Sequence, residues 1–152
     1  MITYKKAGSE HIGDAVKIRV EMLSLMHNRP EADFRGEFTR LSEDFFRSGG
    51  QTTVLAYDGE KAVGCATLCY INVMPTFDHP TGKRAHLMNV YTNADYRRQG
   101  IARQMVTMLL DEAKERGVTY VSLDTTQSGE PLYKALGFGH SRETMGLNLN
   151  KN

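Results

Sequence analysis

The chain has 152 residues, a length that suits one domain with one sizeable core, and we expect a single domain over residues 1–152. Its hydrophobic share of 40% and charged share of 24% are ordinary for a globular protein, and its formal net charge of +1 argues against nucleic acid or an anionic membrane as a partner. Without a membrane-length apolar run or the apolar core of a signal peptide, we expect a cytoplasmic protein.

Hydrophobic periodicity predicts a strand, two helices and a β-hairpin in the first half of the chain. The strand covers residues 2–7, and apolar residues at helical spacing predict a helix from Ser9 to about Met26. A second helix starts near Phe34 and ends at Gly49-Gly50. The Asp58-Gly59 turn between β-rich runs at 52–57 and 62–73 predicts the hairpin.

The second half continues with a strand over residues 85–92, after a longer loop at 74–82. An amphipathic helix follows, with Ile101, Met105, Leu109 and Ala113 on its apolar face. A buried strand over 118–123, a short helix over 129–136 and a last strand over 138–149 complete the chain. The order β-α-α-β-β-β-α-β-α-β predicts an α/β fold with a mixed sheet of about six to seven strands and helices on both faces.

The connection between the third of these strands and the amphipathic helix is basic and carries a glycine. It reads Arg97-Arg98-Gln99-Gly100-Ile101-Ala102, and we call these six residues the basic turn. The first N–H groups of a helix lack partners and the helix dipole favours negative charge there, so this order predicts an anion site. Because Gly100 allows close approach to the backbone, we expect a pyrophosphate-bearing ligand at residues 98–103. The alternative is an ordinary helix start whose N–H groups bind only water.

The basic turn resembles the phosphate turn of the GNAT superfamily, the acetyl-coenzyme-A-dependent N-acetyltransferases. A second signature of that superfamily, a Tyr shortly before Gly-Phe, is matched by Tyr133 and Gly137-Phe138. The element order matches over almost the whole chain. A Walker phosphate loop and a Rossmann fingerprint both fail, because neither Gly-Lys-Ser/Thr nor Gly-x-Gly-x-x-Gly is present.

The resemblance implies a GNAT-like fold and an acetyl-coenzyme A site. The backbone of Val90, Tyr91 and Thr92 would hold the pantetheine arm as an added strand does, and the basic turn with Arg103 would hold the diphosphate. Family members often carry an Asn seven residues before the Tyr, and here that position is Thr126. A hydroxyl offers fewer hydrogen bonds than an amide, so this contact departs from the family pattern.

The resemblance also implies catalytic roles. Tyr133 would be the general acid that protonates the departing thiolate, with a packed core tyrosine as the alternative. Several family members carry a base eleven residues before the phosphate turn, and counting back from Arg97 gives His86. An imidazole can accept a proton through water near neutral pH, although a strand histidine bonded to a backbone carbonyl would fit the sequence equally. Glu21 or water are the other candidates for the base.

We expect the acceptor to be a primary amine. The resemblance implies that it enters near residues 27–33 and 74–82. Glu21, Glu31, Asp33 and Asp78 are acids that would attract a cationic amine. A small-molecule acceptor, a protein or peptide N-terminus, and a non-catalytic acyl-coenzyme A sensor stay open, as does an acyl group longer than acetyl. We expect no covalent intermediate, because Cys65 and Cys69 lie outside both motifs. The two cysteines are too far apart along one strand to form a disulfide, and they lack neighbouring metal ligands, so we also expect no metal. Edge strands favour a homodimer.

Overall fold

The computed structural model describes residues 1–141 and 143–150 of the chain. Its centre is a five-stranded sheet built, in spatial order, from Ile2–Lys6 (β1), Gln51–Asp58 (β2), Lys61–Asn72 (β3), Lys83–Thr92 (β4) and Tyr120–Leu123 (β5). Neighbouring strands are antiparallel from β1 to β4, and β5 pairs with β4 in parallel. The mixed sheet predicted from the sequence is confirmed, with five strands in the described residues.

Helices cover both faces of this sheet. The helices Ile12–His27 (α1) and Glu37–Arg47 (α2) lie on one face, which we call the α1 face. The helices Ile101–Glu115 (α3) and Glu130–Ala135 (α4) lie on the other, the α3 face. Alternation along β2 separates the two cores, because Leu55 packs with α1 whereas Val54 packs with α3. None of the helices in the described ranges is long and apolar enough to cross a membrane.

The apolar stripe of α3 is buried as the sequence predicts, and a charged cluster fixes the C-terminal half of the same helix. Ile101, Met105, Leu109 and Ala113 all lie in the core of the α3 face. Glu112, also on α3 and buried, accepts hydrogen bonds from the Tyr70 hydroxyl and, at 3.0 Å, from Lys6 Nζ. The oxygen that accepts from Tyr70 also lies 3.6 Å from an Arg116 guanidinium nitrogen. The acid therefore joins α3 to β1 and β3.

The end of the chain differs from the prediction. The sequence predicted a sixth strand over residues 138–149, but the described part of that segment forms no strand; residue 142 lies outside it. Met145, Leu147 and Leu149 are exposed there, and the interspersed glycines and asparagines disfavour strand pairing. The predicted strand at 118–123 is present as β5 but is only half-buried, because it lies beside one neighbour, β4.

Candidate active site

A β-bulge interrupts β4 at Asn89. Between the pairs Thr67↔Met88 and Cys65↔Tyr91, β4 contains one residue more than β3, and Asn89 adopts a left-handed backbone with φ of 61°. Asparagine tolerates this conformation better than most residues do. The bulge turns the side chains of Met88 and Asn89 into one cavity on the α1 face, whereas Val90 packs toward the α3 face.

Three neighbours hold Asn89 in place. Arg19 Nη1 donates to its side-chain oxygen at 2.8 Å, and its amide nitrogen donates to Thr67 Oγ1 at 3.1 Å. The Cys65 thiol donates to its main-chain carbonyl at 3.1 Å. Cys65 is buried, which raises the pKa of its thiol to about 12, so this cysteine is a structural donor at neutral pH and not a nucleophile. The bulge is thus a fixed feature of the strand.

Beyond Leu87, β4 presents an open edge. The ladder with β5 runs only from Arg84↔Tyr120 to Leu87↔Leu123, so residues 88–92 of β4 have no strand partner on that side within the described part of the chain. The residues expected to hold the pantetheine arm, Val90 to Thr92, lie on this open edge. Free N–H and C=O groups of an edge pair readily with an extended ligand. One carbonyl, that of Thr92, already accepts a hydrogen bond from Arg97 Nε at 3.1 Å.

The open edge leads into the basic turn and the start of α3. Residues 97–100 are exposed, and Arg98 and Gly100 have φ angles of 64° and 77°. Gly100 is the N-cap residue of α3; no side chain caps this end, and its first turn carries no acid. A Cβ built on Gly100 meets no atom within 4 Å. Residues 98–103 therefore present uncapped N–H groups, positive charge and free space together, which suits a diphosphate.

Tyr133 lies on α4, on the α3 face. Its ring packs against the core of that face and meets Phe138 edge to face, with ring centroids 5.9 Å apart. A Cβ on Gly129 would lie 3.4 Å from the ring and 2.7 Å from Thr125 Oγ1, so glycine makes this packing possible. The Tyr133 hydroxyl has no hydrogen-bond partner among residues 1–141 and 143–150. Burial raises the pKa of Tyr133, which keeps the phenol protonated at neutral pH.

His86 lies on β4 with its side chain on the opposite, α1 face, in line with Met88. The ring is 27% exposed, with Nδ1 2.8 Å from Ser122 Oγ and Nε2 3.7 Å from Asp124 Oδ2. Its partners are therefore side chains of β5 and the loop after it, and not the backbone carbonyl considered from the sequence. His86 and Tyr133 therefore lie on opposite faces of the sheet.

Glu21 is better placed than the sequence indicated. It is half-buried on α1 and accepts hydrogen bonds from Tyr91 Oη at 2.7 Å and Asn93 Nδ2 at 3.1 Å. Burial together with Glu21 raises the pKa of Tyr91, so the phenol stays a donor. Glu21 therefore supports the end of the open edge through these two hydrogen bonds.

The other predicted contacts lie outside β4, the basic turn and α4. Thr126 is in the exposed loop between β5 and α4, where its hydroxyl lies 3.0 Å from Ser128 Oγ. The exposed acids Glu31 and Asp33 form ion pairs with arginines four residues away in sequence. Asp78 is in the exposed loop before β4. These three acids do not converge on the bulge.

Sequence reasoning missed Arg19 and Asn89. Arg19 occupies a polar position of an amphipathic helix, and nothing in its spacing separates it from a solvated arginine. Asn89 did leave a signal, because an asparagine in the middle of an apolar strand is a common occupant of left-handed bulge positions.

Known proteins resemble this chain in sequence and in fold. A crystal structure of a predicted acetyltransferase from Clostridium acetobutylicum, solved with acetyl-CoA, is 31% identical, with a TM-score of 0.86 over 98% of this chain and 97% of that one. Human N-acetyltransferase 8 is 30% identical over 107 residues, and the chain spans only 44% of its length. The glucosamine 6-phosphate N-acetyltransferase of Trypanosoma brucei brucei is 25% identical over 114 residues, which are 74% of this chain and 76% of that protein.

The family model of the acetyltransferase (GNAT) family matches residues 20–138, a range that begins beside Glu21 and ends just after Tyr133. That range contains the bulge, the open edge, the basic turn and α4. The chain belongs to the acetyltransferase (GNAT) family.

Proposed function

We propose that this protein transfers the acetyl group of acetyl-coenzyme A to a primary amine of a small molecule by direct attack of the amine. The observation that carries the proposal is the open edge of β4, which is followed, after one short connection over residues 93–100, by the uncapped N-terminus of α3. An edge and a helix start in this order match a ligand with an extended arm and a diphosphate. The Clostridium relative solved with acetyl-CoA supports the same assignment.

The chain's own groups fit each part of that ligand. Backbone groups of Val90 to Thr92 would pair with the pantetheine arm, and the N–H groups of residues 98–103 would hold the diphosphate. The Arg97 side chain contributes by bonding the Thr92 carbonyl, which fixes the turn against the strand. Thr126 lies before α4 and would contribute a hydroxyl at most.

When bound, acetyl-coenzyme A supplies the activated acetyl group, and the remaining work falls to residues of this chain. A backbone N–H of the open edge, next to the fixed bulge, polarises the thioester carbonyl. Tyr133 donates its proton to the departing sulfur. His86, bonded to Ser122 and near Asp124, accepts a proton from the amine, directly or through water. Glu21 is the second candidate for this last role.

Two other functions remain as alternatives, a non-catalytic acyl-coenzyme A sensor and a protein or peptide N-acetyltransferase. The Tyr133 hydroxyl has no hydrogen-bond partner among the described residues, which favours an enzyme over a sensor, because a sensor does not need a proton donor there. The name of the Trypanosoma relative favours a small acceptor. A homodimer and a cytoplasmic location stay predictions.

The test is release of the coenzyme A thiol from acetyl-coenzyme A, followed with a panel of small amines and N-terminal peptides, and repeated with longer acyl donors. We expect amine-dependent thiol release with at least one small amine. Release with peptides alone would instead support the protein N-acetyltransferase. Tight acetyl-coenzyme A binding with no release across the panel would contradict the enzyme and support the sensor.

A further inference from the structure

The cavity beside the bulge is mostly apolar but contains a cation. It measures about 310 Å³ and lies on the α1 face, between α1, α2 and the bulge of β4. Its apolar walls include Phe38, Leu41, Phe45 and Met88. Arg19 enters it from α1, half-buried, with its guanidinium 5.7 Å from the centre of the Phe38 ring. A cavity of this size is in the range of small-molecule sites.

Arg19 has no acidic partner in the described part of the chain. Its one hydrogen bond there goes to the neutral side chain of Asn89, which leaves most of its five N–H donors without a protein acceptor. Burial lowers the pKa of Arg19, a sign that its charge has lost part of its hydration, yet a guanidinium stays protonated in proteins. A partly dehydrated cation of this kind favours an anionic partner.

The neighbouring arginines behave differently. Arg29, Arg35, Arg40 and Arg47 each lie within 4 Å of a carboxylate three or four residues away in sequence. These pairs are exposed and contribute little. Arg19 faces the cavity with its charge unmatched, so its partner is to be sought among ligands.

We propose that the amine acceptor of this protein also carries an anionic group, a carboxylate or a phosphate, which Arg19 binds, and an apolar part that lies against Phe38 and Phe45. The inference rests on the proposed acetyl transfer and adds the class of acceptor. Arg19 bonds Asn89, the residue next to Val90 on the open edge, so an anion bound by Arg19 would lie close enough to the proposed acetyl site to belong to the same small molecule as the reacting amine. This acceptor replaces the purely cationic amine expected from the surface acids.

The test compares matched amines that differ only in the anion. Phenylalanine is paired with phenylalaninamide, and 2-amino-3-phenylpropyl phosphate with the corresponding amino alcohol. A charge-assisted hydrogen bond contributes about 1.5–3 kcal/mol, so we expect kcat/KM to favour the anionic member of at least one pair by roughly ten- to hundred-fold. The two pairs distinguish a carboxylate from a phosphate.

Arg19→Gln removes the charge but keeps an N–H donor for Asn89. We expect this variant to abolish the preference for the anion, whereas the exposed Arg47→Gln keeps it. Equal use of both members of each pair by the wild type, or a preference unchanged in Arg19→Gln, would overturn the inference and leave the acetyl transfer standing.

A binding measurement separates this inference from the proposed function. Calorimetry with phenylacetate and with phenyl phosphate needs no turnover, and we expect at least one to bind the wild type and to bind Arg19→Gln at least tenfold more weakly. Such binding without turnover of any amine would support the anion site and contradict acetyl transfer. Absence of Arg19-dependent binding of both probes would overturn the anion site.

Discussion

Tyr133 combines the properties that a general acid needs. Burial holds its proton, Phe138 and the space left by Gly129 fix its ring, and its hydroxyl has no partner among the described residues. Each property follows from the short helix α4 packing on the α3 face. A tyrosine with only a packing role would have the same surroundings, so an experiment has to distinguish the general acid from a core residue.

Tyr133→Phe keeps the ring and removes only the proton. We expect kcat to fall by roughly 10²–10⁴-fold, the range for general acid catalysis, while the Kd for acetyl-coenzyme A changes little. A general acid must be protonated to act. Because burial raises the pKa of Tyr133 above its ordinary value of about 10, we expect kcat to fall through loss of this proton only above that pH. Steady-state kinetics and calorimetry check both points; full kcat in the variant would contradict the role.

Single residues were predictable from sequence only where a motif marks them. Tyr133 and Gly100 stand in patterns that the family resemblance identifies. The supporting contacts of Glu21 were not predictable in this way, because they are made with Tyr91 and Asn93, some seventy residues later in the chain. Arg19 was missed for the same reason, since only the folded chain shows that no carboxylate among the described residues pairs with it.

At the scale of elements, β4 and α3 pack closely because Gly64 leaves space between them. This β3 residue pairs with Thr92, and a Cβ on it would lie 3.1 Å from the Tyr91 carbonyl oxygen, 3.2 Å from Met105 Cε and 3.4 Å from Ile101 Cγ2. The glycine therefore lets the first turn of α3 approach the open edge. The spacing between the two segments that we propose to bind the coenzyme depends on this contact.

Gly64→Ala should push α3 away from β4. We expect a loss of about 1–3 kcal/mol in the free energy of unfolding, as for other overpacked sites, together with weaker acetyl-coenzyme A binding. Gly13→Ala on α1 is the matched control, because a Cβ there meets nothing within 4 Å. The control should be neutral or stabilising by up to about 1 kcal/mol. Urea unfolding measures the free energy of unfolding of both variants. Equal effects would show that close packing at Gly64 does not matter.

At the scale of the whole molecule, Glu112 links β1, β3 and α3 through Lys6 and Tyr70. Burial by itself raises the pKa of Glu112, but hydrogen bonds from Tyr70, Thr52 and Lys6 and the charge of Arg116 outweigh it, and the net pKa is lowered. A lowered carboxyl pKa stabilises the fold above the unfolded-state value and loses that stabilisation as the pH falls.

Glu112→Gln tests this link. We expect the variant to lose about 2 kcal/mol of unfolding free energy at pH 7, since the hydrogen bonds involve a charge. The difference from the wild type should shrink as the pH falls below about 4, where a free glutamate takes up its proton. Denaturant unfolding across pH, with the exposed Glu115→Gln as control, measures it. A difference independent of pH would show that the charge is not responsible.

Much of the architecture was predictable, and the failures have physical causes. The hairpin at Asp58-Gly59, the apolar stripe of α3 and the short helix before Gly137 follow from local patterns that the structure confirms. The predicted strand over 138–149 was wrong: its described residues form no strand, and the glycines and asparagines between the apolar residues disfavour strand pairing. The bulge at Asn89 needs cross-strand register, which one sequence does not display.

The most direct test of the coenzyme site is amide hydrogen exchange with and without acetyl-coenzyme A. Binding should slow exchange of the amides that point outward from the open edge at 90–92 and of those at 101–103 in the first turn of α3. In the described chain, this stretch of β4 has no strand partner on the side away from β3, and no side chain caps the start of α3. Amides of α2 serve as the internal reference and should change little. Protection confined to other segments, with residues 90–92 and 101–103 unaffected, would contradict the assignment of the site.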